Sequence, residues 1–345
     1  MRRAMACGKV ILFGEHAVVY GVPALAVGID RGAWADATWA SPGTPGASSL
    51  HVHGWDITVT DDVDDEGLPL ARALRDILRV TRAAAAVAAA QEQPTGPVMV
   101  QAGADLPPGG GLGCSAAIGV AVARALDPIA EDGAIAERVN AWERVFHGNP
   151  SGIDAAVSAM GGCVHFERSK KAREARESKP TIRRVHLART LLLCIGHSGI
   201  ASSTKTMVQA VARLRDRHPK TTHKAFEAIS ALVKSARLAL EAGDVRAIGQ
   251  LLDLNQVLLS GLFVSTPEIE QMCTLARAAG AEGAKLTGAG GGGCVVAIVE
   301  DTARGEAVLE AWKREGYDGF LTRVAPVAAS VGRDAALPRA VQGSV

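Results

Sequence analysis

The feature that most limits what this chain can fold into is the run Leu106-Pro107-Pro108-Gly109-Gly110-Gly111-Leu112-Gly113-Cys114-Ser115-Ala116-Ala117. Two prolines stiffen its entrance, glycines fill four of the next five positions, and an Ala/Val-rich helical run continues to Leu126. Glycines permit positive φ and let backbone N–H groups crowd around a ligand. A helix that begins at once turns its free N–H groups and positive dipole end to the same place. Residues 98–104 read as a strand, so strand, loop and helix are contiguous. That combination is an anion site, and phosphate is the usual anion. The run matches neither GxxxxGK[ST] nor GxGxxG, and no lysine follows its glycines. Bound phosphate would therefore need charge from a metal or from elsewhere in the chain. A flexible glycine loop is the alternative reading of the same residues.

With 345 residues, about two domains are expected at roughly 100–200 residues each. Hydrophobic residues make up 48% and charged ones 21%, enough apolar material for a sizeable core. Aromatics are only 4%, which argues against a base-stacking single-strand binder. Thirty-seven basic residues against 36 acidic ones leave no charge excess to draw nucleic acid or an anionic membrane. The six cysteines follow no CxxC or metal spacing and read as buried thiols of a reducing cytosol. The N-terminal apolar run 10–13 is too short for a signal peptide, and no stretch is long enough to span a membrane. A cytoplasmic protein is expected.

Along the chain, residues 9–13 and 24–29 read as buried strands, with Gly14-Glu15-His16 between them. Buried unpaired charge is costly, so these residues form either a solvated turn or a site wall with Lys9. Residues 33–60 alternate like antiparallel strands; His51 and His53 share one face, read as solvated rather than metal-binding. Helices are expected over 68–93, 115–126 and 134–146. Glu143 falls in the last turn of the third, where a carboxylate opposes the helix dipole. Asp154 follows Ser151 by three residues, a spacing that also suits a capping box for the next helix, 155–162. Residues 167–184 hold eight basic against three acidic residues and read as a solvated excursion or an electrostatic lip, at a domain boundary. Beyond it come a strand at 191–196, a polar loop at 197–205, helices over 204–215, 222–242, 244–261, 267–279 and 302–315, and strands 295–299 and 320–325. A second glycine-rich turn, Lys285 to Cys294, enters the first of these strands. The tail 327–345 is expected to be poorly ordered.

Three motifs then stand together: Lys9-Val10-Ile11-Leu12-Phe13-Gly14-Glu15-His16-Ala17-Val18-Val19-Tyr20-Gly21, the run 106–117, and Lys285-Leu286-Thr287-Gly288-Ala289-Gly290-Gly291-Gly292-Gly293-Cys294. In this order and spacing the chain resembles the GHMP small-molecule kinase superfamily. The stretch Glu143-Arg144-Val145-Phe146-His147-Gly148-Asn149-Pro150-Ser151-Gly152-Ile153-Asp154 makes it most similar to the mevalonate kinase branch. Two positions depart from the family pattern: Cys7 stands where proline is common, and Cys114 where the first serine of Gly-Leu-Gly-Ser-Ser is common. A thiol is a weak hydrogen-bonding group, so Cys114 is expected to contribute little through its side chain.

The resemblance implies an α+β protein of two domains. A ribosomal-protein-S5-like α/β domain would span 1–184, and a ferredoxin-like α+β domain 185–326, followed by the tail 327–345. It implies an ATP-dependent kinase that phosphorylates the C5 hydroxyl of mevalonate; a phosphomevalonate or sugar kinase of the same superfamily is the alternative. Pro108, Gly109, Gly110, Gly111, Leu112, Gly113, Cys114, Ser115 and Ala116 would cradle the ATP phosphates. Ser115 and Glu143 would hold Mg²⁺. Asp154 would act as general base, and Lys9 would stabilise the developing charge. Glu15, His16, Asp154, Thr204, Gly288, Ala289 and Gly290 would contact mevalonate. The partners implied are ATP and mevalonate, with no nucleic acid and no membrane; a homodimer is left open.

Overall fold

The computed structural model describes residues 3–62, 68–88, 96–107, 109–148, 150–167 and 180–326. Pro108, Asn149, residues 168–179 of the basic segment 167–184, and the tail 327–345 lie outside the described residues.

The first half is built on a seven-stranded sheet. Strand β1 (Ala4–Phe13) pairs antiparallel with β2 (Ala24–Trp39), a sixteen-residue strand that the sequence pattern divides in two. One continuous element forms because β2 is paired on both edges. β1 follows it from Ala4↔Ala35 to Phe13↔Leu25, while β5 (Val98–Ala104) and β6 (Cys163–Glu167) cover its other edge. The hairpin β3 (Ser49–His53) and β4 (Ile57–Thr60) joins through a parallel β3–β5 pair, and β7 (Thr181–Val185) closes the far edge on β6. His51 and His53 lie on the outward face, bonded to Thr58 Oγ1 and Gln101 Oε1, each at 2.8 Å.

Helices α1 (Pro69–Ala88), α2 (Cys114–Leu126), α3 (Asp132–His147) and α4 (Ile153–Met160) accompany this sheet. Helix α2 is the central one. Its small side chains, Ala116 to Ala123, are almost all buried, so it runs close against β1 and β2. Burial of a continuous Ala/Val surface needs close backbone approach, which the Ala/Gly-rich sequence permits.

The second half is a four-stranded antiparallel sheet ordered β11 (Asp318–Val324), β8 (Leu191–His197), β10 (Cys294–Val299), β9 (Gly283–Thr287). In chain order this is fourth, first, third, second, which is the ferredoxin-like arrangement. Helices α5 (Thr204–Arg217), α6 (Pro219–Ala242), α7 (Val245–Gly261) and α8 (Pro267–Ala278) fall between β8 and β9, and α9 (Thr302–Arg314) between β10 and β11. Strand β9 has no counterpart in the sequence reading, which takes its residues as the start of a glycine turn. Trp312 of α9 is buried and donates its indole N–H to Met272 O of α8 at 2.8 Å, locking both helices on this sheet. Together the two halves form the mixed α+β fold expected. Among the described residues no helix is long and apolar enough to cross a membrane.

Candidate functional site

The site assembles where β1, the start of α2, the end of α3 and the start of α4 meet. Gly113 takes a left-handed φ of 71° and ends the glycine loop, so that α2 begins at Cys114. The first N–H bonded within the helix is that of Ala117, to Gly113 O at 2.9 Å. The preceding N–H groups of Cys114, Ser115 and Ala116 therefore face out of the helix end. No acidic residue occupies this first turn, which leaves the positive end of the helix for an anion.

Lys9 runs along the inside of this loop. Its backbone N–H donates to Leu112 O at 2.8 Å, and its ammonium donates to Gly111 O at 3.3 Å. Lys9 Nζ lies 2.5 Å from Asp154 Oδ1, with the lysine side chain buried and the aspartate 31% exposed. One member of the pair is thus sealed in while the other faces the cleft. Helix α4 is turned into place by Gly152, and Ser151 Oγ accepts from Ile153 N at 3.3 Å. Ser151 stands one residue before the N-cap, which is Gly152, so no capping box forms and Asp154 is directed to Lys9 instead.

Glu143 projects from the last turn of α3. Its carboxylate is buried, accepts from Ser115 Oγ at 2.6 Å, and has His147 Nε2 at 3.6 Å. Burial, with Asp154 as the next cause, pushes its pKa up to about 7 against the pull of Ser115 and Lys9. Trp142 Nε1 donates to Ser115 O at 3.1 Å, which fixes α3 to the start of α2 and hence Glu143 to Ser115. The neighbouring Cys114 thiol is pushed up to about 11 by burial and by Glu143, so it stays protonated.

The second half of the molecule supplies the facing wall. Thr287, at the end of β9, accepts from Ile11 N and donates to Ile11 O, both at 3.0 Å. His16 adopts φ 59° and donates Nε2–H to Ala289 O at 2.8 Å. Burial lowers the His16 pKa, so the ring is neutral and its Nδ1 is left as an acceptor. Ser202 Oγ donates to Gly290 O. A Cβ on Gly290 would stand 2.1 Å from Val264 O, so this turn requires glycine. The two glycine turns abut at Gly111 and Gly288.

Of the residues singled out from sequence, Lys9, Asp154, Ser115, Glu143 and the loop 109–116 come together, with His16, Ala289, Gly288 and Gly290 across from them. Pro108 lies outside the described residues. Thr204 is exposed at the first turn of α5 and, among the described residues, makes no side-chain bond into the cluster. Glu15 does not line the cleft: its side chain is fully buried against Lys285. Lys285 and Thr287 belong to the third sequence motif but carry no assigned role there, and Asn255 is not among the residues singled out from sequence. A lysine inside the apolar Ala284–Leu286 stretch is the signal that could have drawn attention to them.

Profiles for "GHMP kinases N terminal domain" and "GHMP kinases C terminal" match residues 79–162 and 236–318. A mevalonate kinase of Pyrococcus abyssi is 32% identical over 332 residues, covering 93% of this chain and 95% of that protein. The chain belongs to the mevalonate kinase family of GHMP kinases. Human mevalonate kinase is 28% identical, with 97% of this chain and 96% of the human protein aligned. Among solved structures, L. major mevalonate kinase in complex with R-mevalonate superposes with a TM-score of 0.78 at 26% identity, covering 95% of this chain and 97% of that one. Mevalonate kinase membership accounts for the order of the three motifs and for the mixed α+β fold of the two halves.

Proposed function

We propose that this kinase transfers the γ-phosphoryl group of ATP to the C5 hydroxyl of mevalonate, giving 5-phosphomevalonate and ADP. The observation that carries this reading is the Lys9–Asp154 pair, 2.5 Å apart, beside the open N-terminal end of α2. Phosphoryl transfer asks mainly for positioning and for charge stabilisation. The free N–H groups of Cys114, Ser115 and Ala116 and the positive end of α2 suit the phosphates. Asp154, partly open to the cleft, suits the substrate hydroxyl. A carboxylate is a weak base toward an alcohol, so Asp154 takes the proton late, as the oxygen–phosphorus bond forms. Lys9, held by Leu112 and Gly111, stabilises charge developing on that oxygen. Neutral His16 offers Nδ1 to a hydroxyl of the substrate, and the turn 288–290 covers it.

Ser115 and Glu143 fit a hard cation such as Mg²⁺. They place a hydroxyl and a buried carboxylate 2.6 Å apart, with His147 Nε2 3.6 Å from that carboxylate. When bound, that ion supplies charge neutralisation to the phosphates. Among the described residues no group of three or more His, Cys, Asp or Glu is arranged for a metal, so nucleotide oxygens would complete the shell. All six cysteines are free thiols.

The test is an ADP-release assay on the purified protein with mevalonate, phosphomevalonate, galactose and homoserine as acceptors, with the product identified by ³¹P NMR. Turnover confined to mevalonate is expected. Preference for any other acceptor overturns the assignment of substrate.

A further inference from the structure

Lys285 is a charged group that the mechanism above does not use. It is wholly buried on β9, and its ammonium contacts Glu15 Oε1 and Leu286 O, with Ile11 O at 3.4 Å. Glu15 is equally buried, and Asn255 Nδ2 donates to its other oxygen at 3.3 Å. Asn255 is itself fully buried on α7. Burial drives Glu15 upward and Lys285 downward, and each is pulled back by the other. Replacing such a pair by apolar side chains is often neutral or stabilising, so stability alone is a poor reason for it.

Its place in the fold gives a better one. Lys285 and Thr287 precede the turn 288–290, and Glu15 precedes His16. Three ties cross between the two halves in succession: Thr287 to Ile11, Lys285 to Glu15, and His16 to Ala289. The central tie is the ionic one. His16 is held at φ 59° and ψ −48°, a positive-φ conformation that a non-glycine residue adopts only under constraint, and Glu15 is the adjacent link in the chain.

We infer that Lys285 and Glu15 form a positioning pair that fixes the His16 turn against the 288–290 turn, and that Glu15 does not contact substrate. The pair holds the substrate-facing wall at one distance from Lys9 and Asp154, which share β1 and its neighbours with it. This inference rests on the functional reading above for which substrate the wall receives, but not for the geometry itself.

The test compares wild type with Glu15→Gln, Lys285→Met and the double variant Glu15→Gln/Lys285→Met. Steady-state kinetics are run well below the melting temperature, and hydrogen exchange is followed in peptides covering 11–18 and 286–292. Misplacing a wall by about 1 Å costs on the order of 100-fold in rate. Each single variant should lose roughly that in kcat, the double variant should lose no more than either single, and the singles should affect KM for mevalonate alike. Exchange should quicken in both peptides in every variant. Three results would overturn the inference: Glu15→Gln raising KM for mevalonate while Lys285→Met does not, losses that multiply in the double variant, or unchanged exchange in both peptides. Should Lys285→Met fail to fold, Glu15→Gln, which keeps the side-chain shape, decides alone through its kcat and exchange. If wild type prefers another acceptor, the substrate assignment fails, while the pair is still read from the variant-to-wild-type ratios on that acceptor and from exchange.

Discussion

Gly113→Ala is the perturbation whose size is most open to calculation. Gly113 has φ 71°, and an alanine there costs roughly 1–2 kcal/mol for its left-handed conformation. The new methyl would lie 3.3 Å from Lys9 Cβ, 3.5 Å from Lys9 Cε and 3.8 Å from Asp154 Oδ1. Lys9 cannot recede freely, because its N–H is bonded to Leu112 O at 2.8 Å. Relief must come from a shift of a few tenths of an ångström in the lysine stem, which separates Nζ from Asp154. With 1 Å costing about 100-fold, such a shift should lower kcat roughly 10-fold. The conformational cost should lower Tm by about 1–3 °C. Gly109→Ala is the control: φ is 72° and, among the described residues, no atom lies within 4 Å of the added Cβ. It should lose similar stability yet much less kcat. ADP release and thermal melts on both variants decide the matter. Equal kcat in the two variants would refute the claim that Gly113 is needed to seat Lys9 against Asp154.

Asp154→Asn should keep nucleotide affinity, measured calorimetrically, and lose roughly 10²–10⁴-fold in kcat; near-normal turnover would reduce Asp154 to a partner for Lys9. Glu143, raised from 4.5 to about 7, favours the folded state while protonated. That contribution, at most about 3 kcal/mol, is full below the ordinary carboxylate pKa and is lost as pH rises through about 7. Chelator-treated wild type should therefore melt lower at pH 8 than at pH 5.5 by an amount that Glu143→Gln removes, and an unchanged pH slope in that variant would contradict the assignment. Cys114→Ser should leave KM for ATP unchanged or lower it, since a neutral thiol is exchanged for a stronger hydrogen-bonding group; a large loss would give the thiol a role of its own.

Much of the catalytic half was legible because it obeys local rules. The strand at 98–104, the glycine loop and the helix from Cys114 are contiguous, so their joint geometry follows from chain order. Glu143 stood out because a carboxylate at a helix C-terminus is unfavourable without a partner. Lys285 was hidden by the opposite circumstance. Its partner, Glu15, is 270 residues away, and the glycines beginning at Gly288 make the preceding Lys285-Leu286-Thr287 look like part of a turn. Glu15 was misjudged for the same reason: both readings, solvated tip or cleft wall, assumed that its counter-charge would be nearby or be a ligand. The sequence pattern divides β2 at Asp30-Arg31-Gly32, yet β1 pairs with it on both sides, Gly8↔Ile29 and Cys7↔Gly32, across a register shift at that point. Long-range hydrogen bonding overrides local propensity in strands more than in helices.

The seam formed by Ile11, Glu15, Asn255, Lys285 and Thr287 also bears on recombination between relatives. The two halves look modular, each with its own sheet and its own matching profile, and a splice near the boundary segment would seem harmless. A chimera made there would join a buried carboxylate from one parent to whatever β9 of the other parent presents. Where the parents differ at these few positions, the hybrid inherits an unpaired charge at its centre, although every surface residue and every motif residue in the cleft is native. The interchangeable unit is therefore a half together with its opposite number's seam residues, and neither half can drift in sequence there without the other.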